Sequence, residues 1–302
     1  ASLRVVDSAG LTVGRALERK LDAAVSTGEL KRCAAAEYRE PLRMDGILLL
    51  YRRALEREAG GRLDEIPALV KSANHEAAAT LTETLRVLGC AEDSAGIRIH
   101  ISASGCGVSF SDEHGGYISE ERSLAMCCLT AFEAGEDVAL PYGAPRVIDE
   151  LAAKYGRRVL RYLECPADGA DRQARELAKT QPWVRDGLLC AVRILSYIKK
   201  RRTTISALSA KLPGFAVSVK AVPCRGNPGN LLRMLSEAER AQEQAGPAEG
   251  VLLASSGGKV LLSPLKRGSG LRVMAEAASM EAADELCALY EQKLRDSFLE
   301  QK

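Results

Sequence analysis

The chain has 302 residues, a length that allows two domains or three small ones. Apolar residues make up 46% of the sequence and charged residues 27%, which excludes a disordered chain. No apolar run approaches the roughly 18 residues of a membrane-spanning helix. The formal net charge of +2 is not the strongly basic balance of a nucleic-acid-binding protein.

One basic cluster, residues 199–202, follows an apolar helical stretch. Because cations stabilise the C-terminus of a helix, we expect this cluster to be a solvated helix end, with nucleic-acid contact as the alternative. We therefore predict neither a nucleic-acid partner nor a membrane partner.

The nine cysteines form no Cys-x-x-Cys pair and no zinc-binding spacing, and most have apolar neighbours. A disulfide framework is not expected in a chain of this length. We expect reduced, mostly buried cysteines in a cytoplasmic protein. The sequence begins close to a predicted strand and without a start methionine, so we expect it to be part of a longer polypeptide.

Short apolar strands alternate with helices through most of the chain. An amphipathic helix is predicted by apolar residues that recur at steps of four, namely Val13, Leu17, Leu21 and Val25. The strand–helix–strand pattern over residues 137–163 is long enough for a parallel, right-handed crossover. In chain order the patterns predict strands over residues 2–7, 66–71, 97–102, 108–111, 137–141 and 158–163, and helices over residues 12–26, 42–59, 75–88, 119–134, 145–155, 186–200 and 204–211.

Residues 215–302 have a different pattern, with several strands in succession and few helices. This order is typical of an α+β layout, in which helices pack on one face of an antiparallel sheet. The predicted strands cover residues 215–222, 249–255, 259–263 and 271–276, and the predicted helices cover residues 230–243 and 279–299.

Residues 102–107 follow a predicted strand and are small, with two glycines among them. Backbone N–H groups in such a loop can hold an anion, and glycine lets a ligand approach closely. A plain hairpin connection needs no ligand and is the simpler interpretation.

A second turn, residues 263–272, places three cations and two glycines between strands. Glycine N–H groups and a bidentate arginine suit a phosphate group, whereas a polar hairpin with solvated charges is the alternative. The candidate phosphate ligands are Lys266, Arg267, Ser269 and Arg272.

The three histidines, at positions 75, 100 and 114, share no metal-ligand spacing, and no Ser-His-Asp or Cys-His arrangement can be assigned. Residues 168–172 resemble an acidic cation loop, but two carboxylates are few for Mg²⁺, so we prefer a loop leading into a helix. The spacing of residues therefore predicts no catalytic group and no metal ligand.

Four segments together resemble the α-D-phosphohexomutase superfamily, which contains phosphoglucomutase and phosphomannomutase. Residues 97–116 resemble that family's second-domain strand, metal loop and hairpin, and residues 138–156 resemble the opening of its third domain. Asp186 and Gly187 resemble the pair that begins a later helix, and residues 263–276 resemble the fourth-domain phosphate loop and the next strand. The likeness extends over roughly residues 5–300.

The resemblance implies an α/β fold in which two phosphohexomutase-like α/β domains with mixed sheets precede a smaller α+β domain with an antiparallel sheet. Residues 1–36 would be the remnant of a first domain, or an extension packed on the second. Residues 37–118, 119–214 and 215–302 would then be like the second, third and fourth domains.

Members of this family move a phosphoryl group between the 1- and 6-positions of a hexose through a phosphoserine, with Mg²⁺ held by three aspartates. The phosphoserine loop would lie upstream of residue 1. The metal loop reads Asp-x-Asp-x-Asp-Arg in the family, whereas this chain has Ser102, Ser104, Cys106 and Gly107 there. Because Mg²⁺ prefers charged oxygens, we expect no metal, no other cofactor and no mutase activity.

The fourth-domain loop keeps more of the family's residues. An ungapped comparison matches Pro264 and Arg272 to the family's proline and distal arginine, with Ser263 in place of its first arginine. Alternatively, residues 267–270 match the family's Arg-x-Ser-Gly and a deletion follows. In both comparisons the four candidate phosphate ligands named above are retained.

The resemblance and its departures leave three functions open. The first is an inactive phosphohexomutase-like region with a structural or sugar-phosphate-sensing role, next to a sugar-1-phosphate nucleotidyltransferase such as a mannose-1-phosphate guanylyltransferase. Its partners would be a sugar phosphate or nucleotide sugar and the rest of a longer polypeptide. The alternatives are a mutase of hexose phosphate metabolism whose first domain lies outside this sequence, and a protein-interaction scaffold without a ligand.

Overall fold

The structure is a computed structural model, and it describes residues 5–8, 10–28, 34, 37, 44, 46–112, 114–163, 171–223, 228–238, 243–244, 250–265 and 270–299. The first elements are α1 (Arg15–Thr27), α2 (Ile47–Ala59), β1 (Pro67–Ser72), α3 (His75–Val87), β2 (Ala91–Glu92), β3 (Ile97–Ile101), β4 (Val108–Ser111), β5 (Tyr117–Ile118), α4 (Glu120–Glu133), β6 (Val138–Pro141), α5 (Val147–Lys154) and β7 (Val159–Tyr162). They are followed by α6 (Arg172–Thr180), a short 3-10 helix (Pro182–Val184), α7 (Gly187–Arg201), α8 (Ile205–Ala210), β8 (Ala216–Pro223), α9 (Pro228–Ala238), β9 (Glu243–Gln244), β10 (Val251–Ser255), β11 (Gly258–Pro264), β12 (Gly270–Ala277) and α10 (Met280–Leu299).

The described residues form two compact units. The first unit comprises those of Ala1–Val138 and Glu176–Leu212, and the second comprises those of Ala139–Arg175 and Pro213–Lys302. None of the described helices is long and apolar enough to cross a membrane.

The first unit contains a five-stranded sheet in the order β2-β1-β3-β4-β5. β1 runs parallel to β2 and β3, whereas β4 is antiparallel to β3 and β5. Alternation along β3 buries Ile97, Ile99 and Ile101, and Ile99 lies opposite the buried Phe110 of β4. The mixed sheet predicted for this region is confirmed.

Helices α2, α4 and α7 pack in the same unit. The side chain of Ser119 caps α4 by accepting a hydrogen bond from the backbone N–H of Arg122. Ser196 on α7 donates to the carbonyl oxygen of Ala59 at the end of α2, at 2.6 Å. This bond joins α2 to α7 beside Leu55, which is completely buried.

The amphipathic helix predicted near the N-terminus forms as α1, but its apolar stripe is not covered. Leu17, Leu21 and Val25 remain 46%, 38% and 71% exposed. Leu49 and Leu50 in the first turn of α2 are also exposed. No described residue buries these side chains, so the periodicity correctly predicts the helix but not a core contact for its apolar face.

The second unit contains an antiparallel sheet in the order β8-β12-β11-β10-β9, as predicted for the C-terminal region. Helix α10 covers one face, where Tyr290 and Leu294 join Leu271 and Val273 in a buried cluster. The other face packs against Tyr142, which is 1% exposed. One predicted boundary is wrong: α9 ends at Ala238 rather than at residue 243, because Glu243 already pairs in β9.

Two buried ionic groups organise the connections within this second unit. Arg161 on β7 donates to the carbonyl oxygens of Pro141, Tyr142, Ala144 and Pro145, at 2.8–3.3 Å, and pairs with Asp149 on α5. Its side chain is only 9% exposed. The guanidinium group therefore fixes the segment that leads from β6 into α5.

Glu276 on β12 holds the beginning of the same helix. Its two carboxylate oxygens accept hydrogen bonds from the backbone N–H groups of Arg146 and Val147, each at 2.6 Å. Burial raises the pKa of this carboxyl group, while the two backbone hydrogen bonds oppose that shift. A carboxylate at the N-terminus of a helix is also favoured by the helix dipole.

Asp171, the second carboxylate of the segment 168–172, is held by contacts within the second unit. Asp171 is buried and accepts hydrogen bonds from the backbone N–H of Leu163, at 2.6 Å, and from Arg175, at 3.0 Å. Arg175 in turn donates to the carbonyl oxygen of Leu163 at 2.7 Å. Asp168 lies outside the described residues.

Candidate functional site

The loop of residues 102–107 connects β3 to β4 as a closed turn. The N–H of Ser102 donates to the carbonyl oxygen of Gly107 at 3.0 Å, and the N–H of Gly105 donates to that of Ser102 at 2.9 Å. Gly105 has a φ of +77°, a left-handed conformation that favours glycine. Backbone geometry alone therefore accounts for the glycine at this position.

The loop's own side chains complete its hydrogen bonding. Ser102 Oγ accepts from the N–H of Gly107 at 2.9 Å, Ser104 Oγ accepts from the N–H of Cys106 at 3.2 Å, and the two hydroxyls lie 3.1 Å apart. The Cys106 thiol is exposed and lies 3.7 Å from the carbonyl oxygen of Ser104. The two serine hydroxyls are thus part of the turn itself.

These donors do not fit the Mg²⁺ that the family resemblance implies. Mg²⁺ requires hard, preferably charged oxygens in octahedral geometry, whereas Ser102, Ser104 and Cys106 offer two committed hydroxyls and a thiol. Over the part of the chain that the structure describes, no group of three His, Cys, Asp or Glu residues could hold a metal ion.

The N-terminus of α7 is hydrogen-bonded to this loop. The N–H of Gly187 donates to the carbonyl oxygen of Gly105 at 2.9 Å, and a Cβ at position 187 would collide with the carbonyl of Gly107. Asp186 caps the helix by accepting from the N–H groups of Leu188 and Leu189. The Asp-Gly pair singled out in the sequence therefore positions the loop.

Tyr51 on α2 was not predicted from the sequence as a functional residue, and it hydrogen-bonds to Asp186 at the start of α7. Its hydroxyl lies 2.8 and 2.7 Å from the two carboxylate oxygens of Asp186. Burial, followed by the charge of Asp186, raises the pKa of Tyr51 far above the ordinary value for tyrosine, so the phenol remains protonated and donates. No local signal could have paired two residues that are 135 positions apart.

A second carboxylate lies beside the loop, on the first residue of α4. A Cβ on Gly107 would meet the carboxylate of Glu120, so this side chain lies directly against the loop. Burial and the neighbouring Glu121 raise the pKa of Glu120. The loop is therefore flanked by the carboxylates of Glu120 and Asp186 and carries none of its own.

The candidate phosphate site lies on the hairpin between β11 and β12 of the second unit. The N–H of Leu265 donates to the carbonyl oxygen of Gly270 at 3.0 Å and closes this hairpin. Arg272 is half-buried, lies opposite Ser263 on β11, and places a guanidinium nitrogen 3.6 Å from the sulfur of Met274. The other three candidates, Lys266, Arg267 and Ser269, lie outside the described residues.

No protein-family model matches the chain, and no curated protein matches it. Similarity appears instead among solved structures. A phosphoglucomutase/phosphomannomutase family protein from Burkholderia thailandensis superposes with a TM-score of 0.67 at 15% identity, over 95% of this chain and 71% of that one. A protein from Thermus thermophilus that is named as a phosphomannomutase gives a TM-score of 0.63 at 14% identity, over 95% of this chain and 73% of that one.

A third similar structure is N-acetylphosphoglucosamine mutase from Aspergillus fumigatus, solved in complex with GlcNAc-6P and magnesium. Its TM-score is 0.56 at 11% identity, over 94% of this chain and 75% of that one. All three similar structures are named as hexose or hexosamine phosphate mutases or as members of such a family. The phosphohexomutase-like fold predicted from the four sequence segments is therefore confirmed.

Proposed function

We propose that this chain, whose fold is that of the phosphohexomutases, binds a hexose phosphate without a metal ion and does not transfer the phosphoryl group. The observation that carries the proposal is the donor set of loop 102–107. Where a mutase would hold Mg²⁺ with carboxylates, Ser102 and Ser104 use their hydroxyls to close the turn. Phosphoryl transfer depends mainly on neutralising and positioning phosphate charge, and this loop supports neither.

The carboxylates that flank the loop also argue against phosphoryl transfer there. Asp186 is engaged by Tyr51 and by the first N–H groups of α7, so its carboxylate serves the helix cap. Glu120 adds a second carboxylate beside Gly107. Two carboxylates without a bound cation would repel a phosphate group rather than stabilise it.

Phosphate binding is assigned to the hairpin between β11 and β12. Arg272 can supply a guanidinium group there, and its bidentate geometry suits a phosphate group. Lys266, Arg267 and Ser269 are the further ligands in this proposal. The Aspergillus enzyme was solved with a hexosamine phosphate, which supports a hexose phosphate as the ligand class.

The role of the chain would be structural or sensory, in a longer cytoplasmic polypeptide that also carries a sugar nucleotidyltransferase.

A calorimetric titration of the full chain with mannose-1-phosphate, glucose-1-phosphate and GDP-mannose, with and without Mg²⁺, tests this proposal. We expect binding that Mg²⁺ does not change and that Arg272→Ala weakens about tenfold, since a hydrogen-bonded charged group is lost. Arg295→Ala, which removes an exposed arginine on α10, is the matched control and should leave binding unchanged.

Two results would overturn the proposal. Conversion of mannose-1-phosphate to mannose-6-phosphate by the chain, with Mg²⁺ and a bisphosphate activator, would show that it is an active mutase. The absence of binding up to millimolar concentrations, where binding corresponds to about 4 kcal/mol, would exclude the sensing role.

One observation favours a second candidate function, a protein-interaction scaffold. The apolar stripe of α1, which includes Leu21 and Val25, is exposed, as are Leu49 and Leu50 of α2. Exposed apolar surface is a feature of interaction sites. Charge reversal at Lys266, Arg267 and Arg272 distinguishes the two, because a scaffold would retain its cellular function and a sugar-phosphate sensor would lose it.

A further inference from the structure

A cleft of about 460 Å³ lies in the first unit, formed by side chains that the proposed function does not use. It opens between the end of α2, the connection from α4 to β6, the end of α6, the 3-10 helix and the middle of α7. Arg193 lies seven residues beyond Asp186, about 10 Å further along α7, so this cleft is separate from loop 102–107. Its wall includes Glu58, Glu136, Asp137, Gln181, Trp183 and Arg193.

Arg193 forms one wall of the cleft, and contacts within the protein hold its side chain in place. Its guanidinium group lies over the ring of Trp183, 4.7 Å from the ring centroid. The guanidinium nitrogens Nε, Nη1 and Nη2 donate to Thr130 Oγ1 at 3.1 Å, Glu58 Oε1 at 2.9 Å and Glu136 Oε2 at 3.4 Å. Each nitrogen of the cation that lines the cleft is therefore already paired within the wall.

The wall also keeps acceptor oxygens that these bonds do not use. Among the described residues, nothing donates to the second carboxylate oxygens, Oε2 of Glu58 and Oε1 of Glu136. Two carboxylates, those of Glu58 and Glu136, stand against the single guanidinium of Arg193, a formal charge of −1. An anion such as a phosphate would be repelled, whereas a cation would find unused acceptors.

The C-terminus of α6 adds to this negative potential. Leu177 and Thr180, from its last turn, line the cleft, and the carbonyl groups at a helix C-terminus carry partial negative charge. Lys179 in the same turn does not cancel it, because its ammonium group pairs with Glu176 at 2.7 Å. A cation in the cleft would therefore be favoured by the helix end as well as by the carboxylates.

We propose that this cleft binds a small organic cation that carries primary ammonium groups, an aliphatic diamine or triamine. The volume lies within the range of small-molecule sites and exceeds what a bare metal ion occupies. No group of three His, Cys, Asp or Glu residues that could hold a metal occurs in the described part of the chain. The ammonium groups would donate to Glu58 and Glu136, and the aliphatic stem would lie against Leu177 and the edge of Trp183.

Trp183 makes the test specific to this site, because it is the only tryptophan in the chain. The full chain is titrated at low salt with spermidine, while tryptophan emission and heat are recorded in parallel. We expect a saturable change in emission that follows the calorimetric isotherm and weakens as salt is added, because salt screens the charges. The uncharged 1,4-butanediol should produce neither signal.

Glu136→Gln removes one acceptor charge at a side chain that is 52% exposed, so the fold should be retained, and far-UV circular dichroism verifies this. We expect it to weaken spermidine binding about tenfold, since a charge-assisted hydrogen bond is lost. Glu285→Gln makes the same charge change on the exposed face of α10 and should leave the affinity unchanged.

Equal weakening by both variants would show that spermidine binds to surface charge in general and would overturn the proposal. A calorimetric signal without a change in tryptophan emission, or no saturable binding at millimolar spermidine, would overturn it as well. The proposal does not rest on hexose phosphate binding, which has its own ligands and variants.

Discussion

Loop 102–107 in the first unit and the segment before α5 in the second are held in opposite ways. The first carries no charge and is closed by its serine hydroxyls and its own backbone. The second is held by charged side chains from other strands, since Arg161 binds four carbonyl oxygens and Glu276 binds two N–H groups. Charge is present where it holds backbone in the second unit, whereas loop 102–107 carries none.

The two regions differ because buried and exposed charges contribute differently to the free energy of unfolding. Removing one member of a buried, hydrogen-bonded ionic group leaves its partners unsatisfied and costs several kcal/mol. An exposed loop carboxylate contributes little to stability, and a serine hydroxyl can accept the same backbone hydrogen bonds. A loop such as 102–107 can therefore lack charged side chains at little cost to the stability of the fold.

The largest expected effect comes from introducing charge into the loop. The triple change Ser102→Asp, Ser104→Asp and Cys106→Asp keeps acceptors at the positions that close the turn and adds three carboxylates. We expect the variant to bind Mg²⁺ with a Kd below about 1 mM, which corresponds to at least about 4 kcal/mol, and the unaltered chain not to bind it. Calorimetric titration with MgCl₂ measures the difference.

Asparagine at the same three positions is the matched control, because it has the same size and no charge. It should bind no Mg²⁺. Equal affinity of the unaltered chain and the aspartate variant would mean that the loop's own donors suffice for the metal, and the contrast between the two regions would fail.

The next largest effect is expected in the segment before α5. Arg161→Met keeps much of the side-chain volume and removes every hydrogen bond to Pro141, Tyr142, Ala144 and Pro145. We expect the free energy of unfolding to fall by about 3 kcal/mol, measured by urea denaturation of the full chain. Arg86→Met, at an exposed ion pair on α3, should leave the denaturation midpoint unchanged. Equal shifts in the two variants would mean that Arg161 contributes no more than a surface charge.

Much of the fold could be predicted because local signals agree with the packing. The helix expected over residues 119–134 spans Glu120–Glu133, since Ser119 caps it and apolar residues fill its inner face. The strand expected over residues 108–111 has those bounds, because Val108 and Phe110 are buried in the core of the first unit. Periodicity and capping depend on neighbours in sequence, which the sequence displays directly.

The features that could not be predicted depend on contacts between residues that are distant in the sequence. Periodicity identifies the apolar stripe of α1 but cannot say whether anything covers it, and Val25 is 71% exposed. The pairing of Tyr51 with Asp186 joins α2 to α7, and the contact of Arg193 with Glu58 joins the same two helices. In the candidate site, loop 102–107 could be placed from its motif, whereas the side chains that hold it could not.

A smaller effect is expected where a neutral donor supports the loop. Tyr51→Phe removes the hydroxyl that donates to Asp186 and leaves that half-buried carboxylate with only its helix-capping bonds. We expect a loss of about 1.5 kcal/mol in the free energy of unfolding, measured by urea denaturation. Tyr117→Phe, at a side chain that is 70% exposed, is the control and should show no loss. A Tyr51 variant as stable as the unaltered chain would mean that the α7 cap holds without α2.

The smallest effect is a pH dependence at Glu276. Because burial raises the pKa of this carboxyl group in the folded chain, its contribution to stability is complete below the ordinary glutamate pKa of 4.5 and is lost as the pH rises through the folded pKa. Glu276→Gln cannot titrate, so the stability of the unaltered chain relative to this variant should decrease with rising pH over that interval. Urea denaturation on both sides of pH 4.5 measures this, with Glu285→Gln as the matched substitution at an exposed position of α10. An increase with rising pH would mean that the hydrogen bonds from Arg146 and Val147, together with the charges of Lys259 and Arg161, outweigh burial and hold the carboxylate ionised.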